Sequence, residues 1–418
     1  MRSYTEKTQF FGKTHPEELA QTYGTPLYVY NEAILRQRMN EMKSLITSAP
    51  FTVNYSIKTN SNLSILKIAL DEGLNADAMS PGEIHFLLEA GFSAEDIFYV
   101  SNNVSEEEMK FAIDRGIMTS LDSVSQLDRF GQLNPGGKCA IRLNPGVGAG
   151  HHEKVVTAGK KTKFSIAQED IDRAKAVAKK HGLRIVGVNQ HIGSLFLDAK
   201  PFIEAVKNFL SLARSFEDLE FVDFGGGFGI PYKKLSGEPA IDLQSFSSEL
   251  NRIISDWTKD YGKDVLFKIE PGRFIAGEAG VLLGRVQSKK QNAGLKYVGT
   301  DLGMNVLIRP MMYDSWHDIE VYRKGKLISE YDSSEEVTVV GNICETGDII
   351  AEGRLLPRIE EDDIVCVLDA GAYGFAMTSN YNNRLKPAEV LIDMTGAHRL
   401  IRRRQTLEDL MREFPDYN

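Results

Sequence analysis

The sequence is short of cysteine, of long apolar runs and of positive charge, and each shortage excludes a class of protein. Cys139, Cys344 and Cys366 are its only cysteines. Their number is odd, their spacing is wide and no C-x-x-C pair occurs. Neither a disulfide framework nor a zinc site is expected, and a reducing compartment fits. No window approaches the roughly 20 apolar residues of a membrane span. The opening MRSYTEKTQFFGKTHPEE lacks the apolar stretch of a signal peptide, so a cytoplasmic protein is expected. The formal charge is −9, a balance that repels nucleic acid and acidic lipid. The one basic run, Arg402-Arg403-Arg404, reads as a solvated strand or helix end. An anionic substrate is still compatible, because a local arginine can dominate a pocket.

What is present is a globular composition, with 42% apolar and 26% charged residues in 418. That length favours one large and one smaller domain. From about residue 53 to 270, short β-rich runs alternate with helical stretches. The runs are 53–58, 75–79, 97–101, 119–123, 139–144, 185–192, 221–226 and 266–270. Helix starts are marked by Ser80-Pro81-Gly82-Glu83, by Ser105 with Glu108 and by Ser123 with Gln126. Asp198 opens a helix with Phe202, Val206 and Phe209 at helical spacing. A further helix, 31–46, precedes the first strand. Strict alternation implies parallel strands with right-handed crossovers. Eight such units predict a closed (β/α)8, TIM-like barrel, with an open doubly wound sheet as the alternative. After residue 280, strand-like runs separated by turns predict a β-sandwich or β-barrel-like domain. The expected boundaries are 26–280 for the barrel, with 1–25 and 281–418 in the β-rich domain.

Reactive groups of such a barrel sit where strands end. The polar residues there are Lys58, Asp77, Ser80, Asn102, Asp122, Asn144, His191, Ser194, Gly225-Gly226-Gly227, Glu270 and Arg273. Alternation with Val53, Tyr55 and Ile57 puts Lys58 on the Asn54/Ser56 face, toward a polar barrel mouth. It could close an ordinary strand, or it could condense with an aldehyde cofactor. The glycine run follows a strand and lets backbone N–H groups approach a phosphate. It is not a dinucleotide fingerprint, since Ile230 occupies the third glycine's place. Gly272 in the next loop adds a second close approach. Glu270 could favour the protonated form of a pyridine nitrogen, or simply pair with Arg273. His191 could stack on such a ring, or be a structural histidine. His151-His152-Glu153 invites a metal, but adjacent histidines on an extended chain point opposite ways and no zinc spacing accompanies them; no metal is expected. Cys344-Glu345-Thr346-Gly347-Asp348, taken alone, reads as a loop holding a buried, inert cysteine.

Each of these signals is weak alone, but their order is distinctive. Y-S-I-K-T-N around Lys58, H-I-G-S at 191–194, G-G-G at 225–227, E-P-G-R at 270–273, I-R-P at 308–310, C-E-T-G-D at 344–348 and S-N-Y-N at 379–382 follow one another along the chain. This set closely resembles the alanine-racemase-like, fold type III pyridoxal-phosphate decarboxylases, and most of all the diaminopimelate decarboxylases. The resemblance covers residues 25–410. It implies pyridoxal 5'-phosphate as cofactor, an amino-acid substrate, and a homodimer whose active sites join the barrel of one subunit to the β-domain of the other. It implies that Lys58 holds the cofactor covalently, with Asp77 in the cofactor site. His191 would stack on the ring and Glu270 would pair with its nitrogen. Ser194, Gly225, Gly226, Gly227, Gly272, Arg273 and Tyr373 would surround the phosphate end. Arg309, Tyr313 and Glu345 would hold the far end of the substrate, with Arg273 and Tyr373 also on the substrate side. Cys344 would move a proton at the reacting carbon.

The implied reaction converts meso-diaminopimelate to L-lysine and CO2. Diaminopimelate ends in a whole amino acid, and Arg309 with Glu345 match its distal carboxylate and ammonium. Three positions depart from the family pattern: Leu195 where Gln is usual, Asn189 where a second His is common, and Ser165 where Gly is usual. The alternatives are a decarboxylase of a related substrate (D-ornithine, lysine or carboxynorspermidine), a racemase on the same barrel, and a non-catalytic regulatory homologue. A racemase would need a second acid/base, usually a tyrosine, and no C-E-T-G-D segment. A regulatory homologue would have lost Lys58 or Cys344.

Overall fold

A computed structural model describes residues 3–146, 149, 150, 162–328 and 333–417. The His151-His152-Glu153 triplet lies outside the described residues. The chain divides into two compact units: residues 36–230 with 240–275, and residues 1–35 with 231–239 and 276–418.

In the first unit, eight parallel strands close into a barrel. Around the ring they run Phe221–Asp223, Leu266–Ile269, Phe51–Ser56, Asn75–Ala78, Ile97–Val100, Met118–Leu121, Lys138–Arg142 and Arg184–Asn189. All eight are strands expected from the alternation, each ending a little earlier than its apolar run. Lys58 in particular stands beyond the strand, on the 3-10 turn Ile57–Thr59. Inside the barrel, Phe98, Val100, Ala140, Val186 and Phe221 pack as one apolar cluster. The Phe98 and Phe221 rings meet edge to face at 5.3 Å, an arrangement the ring quadrupoles favour. Outward-facing residues meet the helices instead: Phe267 packs on Trp257 of the helix Leu243–Tyr261.

The helix caps work as their chemistry demands. Ser105 and Glu108 form a reciprocal capping box, and Ser123 Oγ accepts the Gln126 N–H. At Ser80 the box is altered. Its Oγ accepts from Glu83, but the Glu83 carboxylate reaches back one residue further, to the Met79 N–H. The helix with Phe202, Val206 and Phe209 runs Lys200–Ala213, and Asp198 accepts the Lys200 N–H.

The second unit is built on a mixed sheet of ten strands. The 13-residue strand Gly280–Asn292 is its spine. Its first half is buried between Leu27–Asn31 and Ile364–Val367. Its second half, beyond an irregularity between Val286 and Ser288, pairs with Leu295–Thr300. Ser334–Val340 and Ile349–Pro357 continue that side. Four of these strands were not read from the sequence: Leu27–Asn31, the two-residue Lys326–Leu327, Ile349–Pro357 and His398–Arg402. Arg402 ends the last of them, with its guanidinium on buried Glu389; Arg403 pairs with Asp409, and Arg404 donates to the Pro26 carbonyl at 2.6 Å. Among the described residues no helix is long and apolar enough to cross a membrane.

Candidate active site

The barrel gathers Lys58, Asp77, His191, Ser194, the 225–227 glycines, Glu270, Gly272 and Arg273 at or just beyond its strand ends. Lys58 is half-buried on its turn, and its charge acts on Asp77, Glu83, His191 and Glu270. Asp77 is fully buried and accepts from Ser56 Oγ at 3.1 Å. Burial lifts its carboxyl to about 8, against the opposing pull of Lys58. Glu270 is raised well above the ordinary carboxylate range, by burial first and then by the neighbouring Asp223 and Asp77.

Asp223 was not singled out from the sequence. Burial raises it to about 6, while bonds to the Gly225 N–H and to Glu270 favour its anion. The two acids lie close enough that the charge on Asp223 disfavours the ionisation of Glu270. Lys268, two residues before Glu270, lies directly across the sheet from Asp223. Its ammonium sits 4.4 Å from the centre of the Phe221 ring, and burial lowers its pKa. Arg142, at the end of its strand, is also buried, stands over the Phe164 ring at 4.8 Å, and bears on His191, Asp122 and Glu270. Strand-end position could have flagged Arg142 and Asp223. Parity with Glu270 could have marked Lys268 as inward-facing, but no local pattern names its partner.

His191 is held neutral, by burial first and then by the charges of Lys58 and Arg142. Its Nδ1 accepts the Gly226 N–H at 3.2 Å, so Nε2 carries the proton. The glycines are needed for close approach. Gly225 has φ 71, and a Cβ there would lie 2.1 Å from the Gln190 carbonyl oxygen. A Cβ on Gly226 would lie 2.1 Å from the Glu270 carbonyl oxygen. Gly272 leaves room for the Thr59 and Ser56 side chains. Arg273 Nη2 donates to Ser194 Oγ at 3.0 Å.

These features fit pyridoxal phosphate. Glu270 Oε1, Asp223 Oδ2 and Asp77 Oδ1 are buried acceptors with no hydrogen-bond partner among the described residues. Such groups need a partner, and a protonated pyridine nitrogen is a donor of the right kind. The bare backbone at 225–227, beside Ser194 and Arg273, suits a phosphate.

The other unit carries Arg309, Tyr313, Cys344, Glu345 and Tyr373. Arg309 is 1% exposed, while Tyr313, on the same short helix Arg309–Tyr313, is half-buried. The Cys344 loop lies beside this helix, with the Cβ position of Gly347 3.5 Å from Met311. Asp348 ties the loop down, accepting from the Ile343 N–H at 2.7 Å and the Met304 N–H at 2.5 Å. The Cys344 N–H donates to Asn382 of the S-N-Y-N segment at 2.8 Å. The reading of Cys344 as buried does not hold: Cys344 and Glu345 are both exposed, because Asp348 takes the loop's inward place. Tyr373 sits at φ 57, on a turn that begins at Asp369, itself at φ 58. Sequence reasoning passed over Tyr232, Ser315 and His317, which surround Arg309. Among the described residues, no group of three His, Cys, Asp or Glu side chains gathers as a metal set.

Comparison with known proteins agrees with this chemistry. Residues 32–277 match the family described as pyridoxal-dependent decarboxylase, pyridoxal binding domain. The chain is 40% identical over 404 residues to diaminopimelate decarboxylase of Methanothermobacter thermautotrophicus, across 94% of this chain and 92% of that one. It is similar to a crystal structure of diaminopimelate decarboxylase, with TM-score 0.88, 34% identity and 94% of each chain covered. It is also similar to the Helicobacter pylori diaminopimelate decarboxylase complexed with L-lysine, with TM-score 0.86 and 32% identity over 95% of this chain and 98% of that one.

Proposed function

Because the chain belongs to the diaminopimelate decarboxylase family of pyridoxal-dependent decarboxylases, we propose that it converts meso-diaminopimelate to L-lysine and CO2. It is a carboxy-lyase with pyridoxal phosphate as cofactor. The observation that carries the chemistry is the cluster of Lys58, buried acids and neutral His191 beside a glycine cradle. When bound, the cofactor supplies a sink for the electron pair left as CO2 departs.

The residues divide the work. Lys58 would anchor the cofactor, with Asp77, Asp223 and Glu270 as the acids beside it. Glu270 would pair with the pyridine nitrogen and favour its protonated form. His191 would lie against the ring, and its Nδ1 steadies the Gly226 backbone. Ser194, Gly226, Gly227, Gly272, Arg273 and Tyr373 hold the phosphate end, and Arg273 and Tyr373 also lie toward the substrate. Arg309, Tyr313 and Glu345 hold the distal amino-acid group. Cys344 moves a proton at the reacting carbon, and its exposure on a tied-down loop supports that task.

The working form in this reading is a cytoplasmic homodimer with shared sites. Supporting it, Met311, Met312 and Tyr381 are 37–45% exposed on the unit that carries the Cys344 loop, an apolar surface that a second copy can cover. The test of substrate is CO2 release from equal concentrations of meso-diaminopimelate, lysine, ornithine, arginine and carboxynorspermidine. Diaminopimelate is expected to lead by orders of magnitude. A faster release from any other member would overturn the assignment and favour the related-substrate alternative.

A further inference from the structure

Arg309 does not stand alone. Its Nη1 donates to His317 Nε2 at 2.9 Å and its Nη2 to Ser315 Oγ at 3.2 Å. The guanidinium lies over the Tyr232 ring at 4.6 Å, and that ring meets the His317 ring edge to face at 5.2 Å. His317 is itself 1% exposed, and its Nδ1 bonds the Leu368 carbonyl oxygen at 2.7 Å. A carbonyl only accepts, so Nδ1 carries the proton and Nε2 offers a lone pair. The imidazole is therefore fixed in the one tautomer that can accept from Arg309.

From this we infer that His317 is a positioning residue for substrate specificity: it orients the Arg309 guanidinium for the distal carboxylate. A guanidinium recognises a carboxylate through a planar fork, so its rotation about the side-chain axis decides whether two bonds form or one. The Tyr232 face sets the plane, and His317 with Ser315 sets the rotation within it. The inference rests on the proposed role of Arg309 and deepens it.

The test uses two inhibitors that differ in one group. L-Lysine keeps the distal carboxylate of diaminopimelate; cadaverine lacks it. Competitive inhibition constants are measured for both on the holoenzyme and on His317→Asn, His317→Gln and Arg309→Ala. Asn keeps a donor for the Leu368 carbonyl and loses the acceptor facing Arg309, whereas Gln keeps an acceptor at the Nε2 position. His317→Asn is expected to weaken L-lysine about tenfold or more, equivalent to about 1.4 kcal/mol, and to leave cadaverine within about twofold. His317→Gln is expected to regain most of the loss. Equal weakening of both inhibitors, or none, or a Gln variant no better than Asn, would overturn the positioning role. If Arg309→Ala discriminates between the inhibitors and His317→Asn does not, only the role of His317 falls. If Arg309→Ala does not discriminate, the substrate reading of Arg309 falls with it.

Discussion

Lys234 offers the sharpest test of how the segment bearing Tyr373 is held. Its ammonium lies 2.5 Å from Glu278 and 2.7 Å from Asp369, over the Tyr4 ring at 4.1 Å. The Asp369 side chain is fully buried. Asp369 opens the turn to Tyr373, and that turn is strained at both ends by left-handed non-glycine residues. Its middle is as tight, since a Cβ on Gly371 would fall 1.9 Å from the Ala276 carbonyl oxygen. Lys234→Met removes the cation and leaves two buried carboxylates facing each other. Breaking a buried pair in this way costs about 3–5 kcal/mol, or roughly 6–20 °C in Tm for a unit of ordinary domain size.

The loss should depend on pH. Burial raises the Asp369 carboxyl to about 7 even with Lys234 beside it. The stability tied to its protonated form is complete below its unfolded pKa and fades as pH rises through 7. Without Lys234 the folded pKa rises further, so the gap between variant and wild type should widen from pH 6 to pH 8. Neutralising the acids as well, with Asp369→Asn and Glu278→Gln, should restore most of the melting temperature. Thermal melts across that range decide the matter. A pH-independent loss, or a triple variant no better than Lys234→Met, would refute the charge argument.

Three further outcomes are expected. Borohydride should fix the cofactor to Lys58, and peptide mapping that finds the label on another lysine removes Lys58 from its role. Gly226→Ala should weaken cofactor retention at least ~10-fold, because a Cβ 2.1 Å from a carbonyl oxygen forces backbone apart; full cofactor content after gel filtration, with unchanged circular dichroism, would contradict this. Mixing inactive Lys58→Ala and Cys344→Ala chains should regain up to about a quarter of wild-type activity through mixed dimers, and no recovery despite demonstrated subunit exchange would place each site within one chain.

The barrel was legible because its physics repeats. Each strand is a short apolar run, and each following helix shows apolar residues at helical spacing with a polar cap, so eight units could be counted. The β-rich unit was less legible because three strands break the rule of alternation. Leu27–Asn31 is buried at all five positions, between two neighbours, so it shows no polar face. Ile349–Pro357 contains Gly353 at φ 55 and pairs through register shifts opposite Val337 and Val339, which scrambles its period. His398–Arg402 is fully buried at no position and basic at three of five, with no apolar face to detect.

The site divides along a similar line. Residue types at strand ends follow from where each strand stops, and that much a sequence states. What it leaves out is which charges meet across strands. Lys268 shows why. Parity with Glu270 two residues later puts it on the inward face, and Phe267 just before it packs outward on Trp257. An ammonium inside a barrel filled by Phe98, Val186 and Phe221 needs an opposing charge. That much follows from one strand. The acid that supplies it, Asp223, lies on the neighbouring strand some 45 residues earlier, and it comes opposite Lys268 only through the parallel register Phe221↔Leu266, Val222↔Phe267, Asp223↔Lys268. A slip of one residue would face Lys268 with Val222 instead, and would turn Asp223 away from both Lys268 and Glu270. Which acid faces Lys268, and so which charges bear on Glu270 beside it, is therefore a property of strand register.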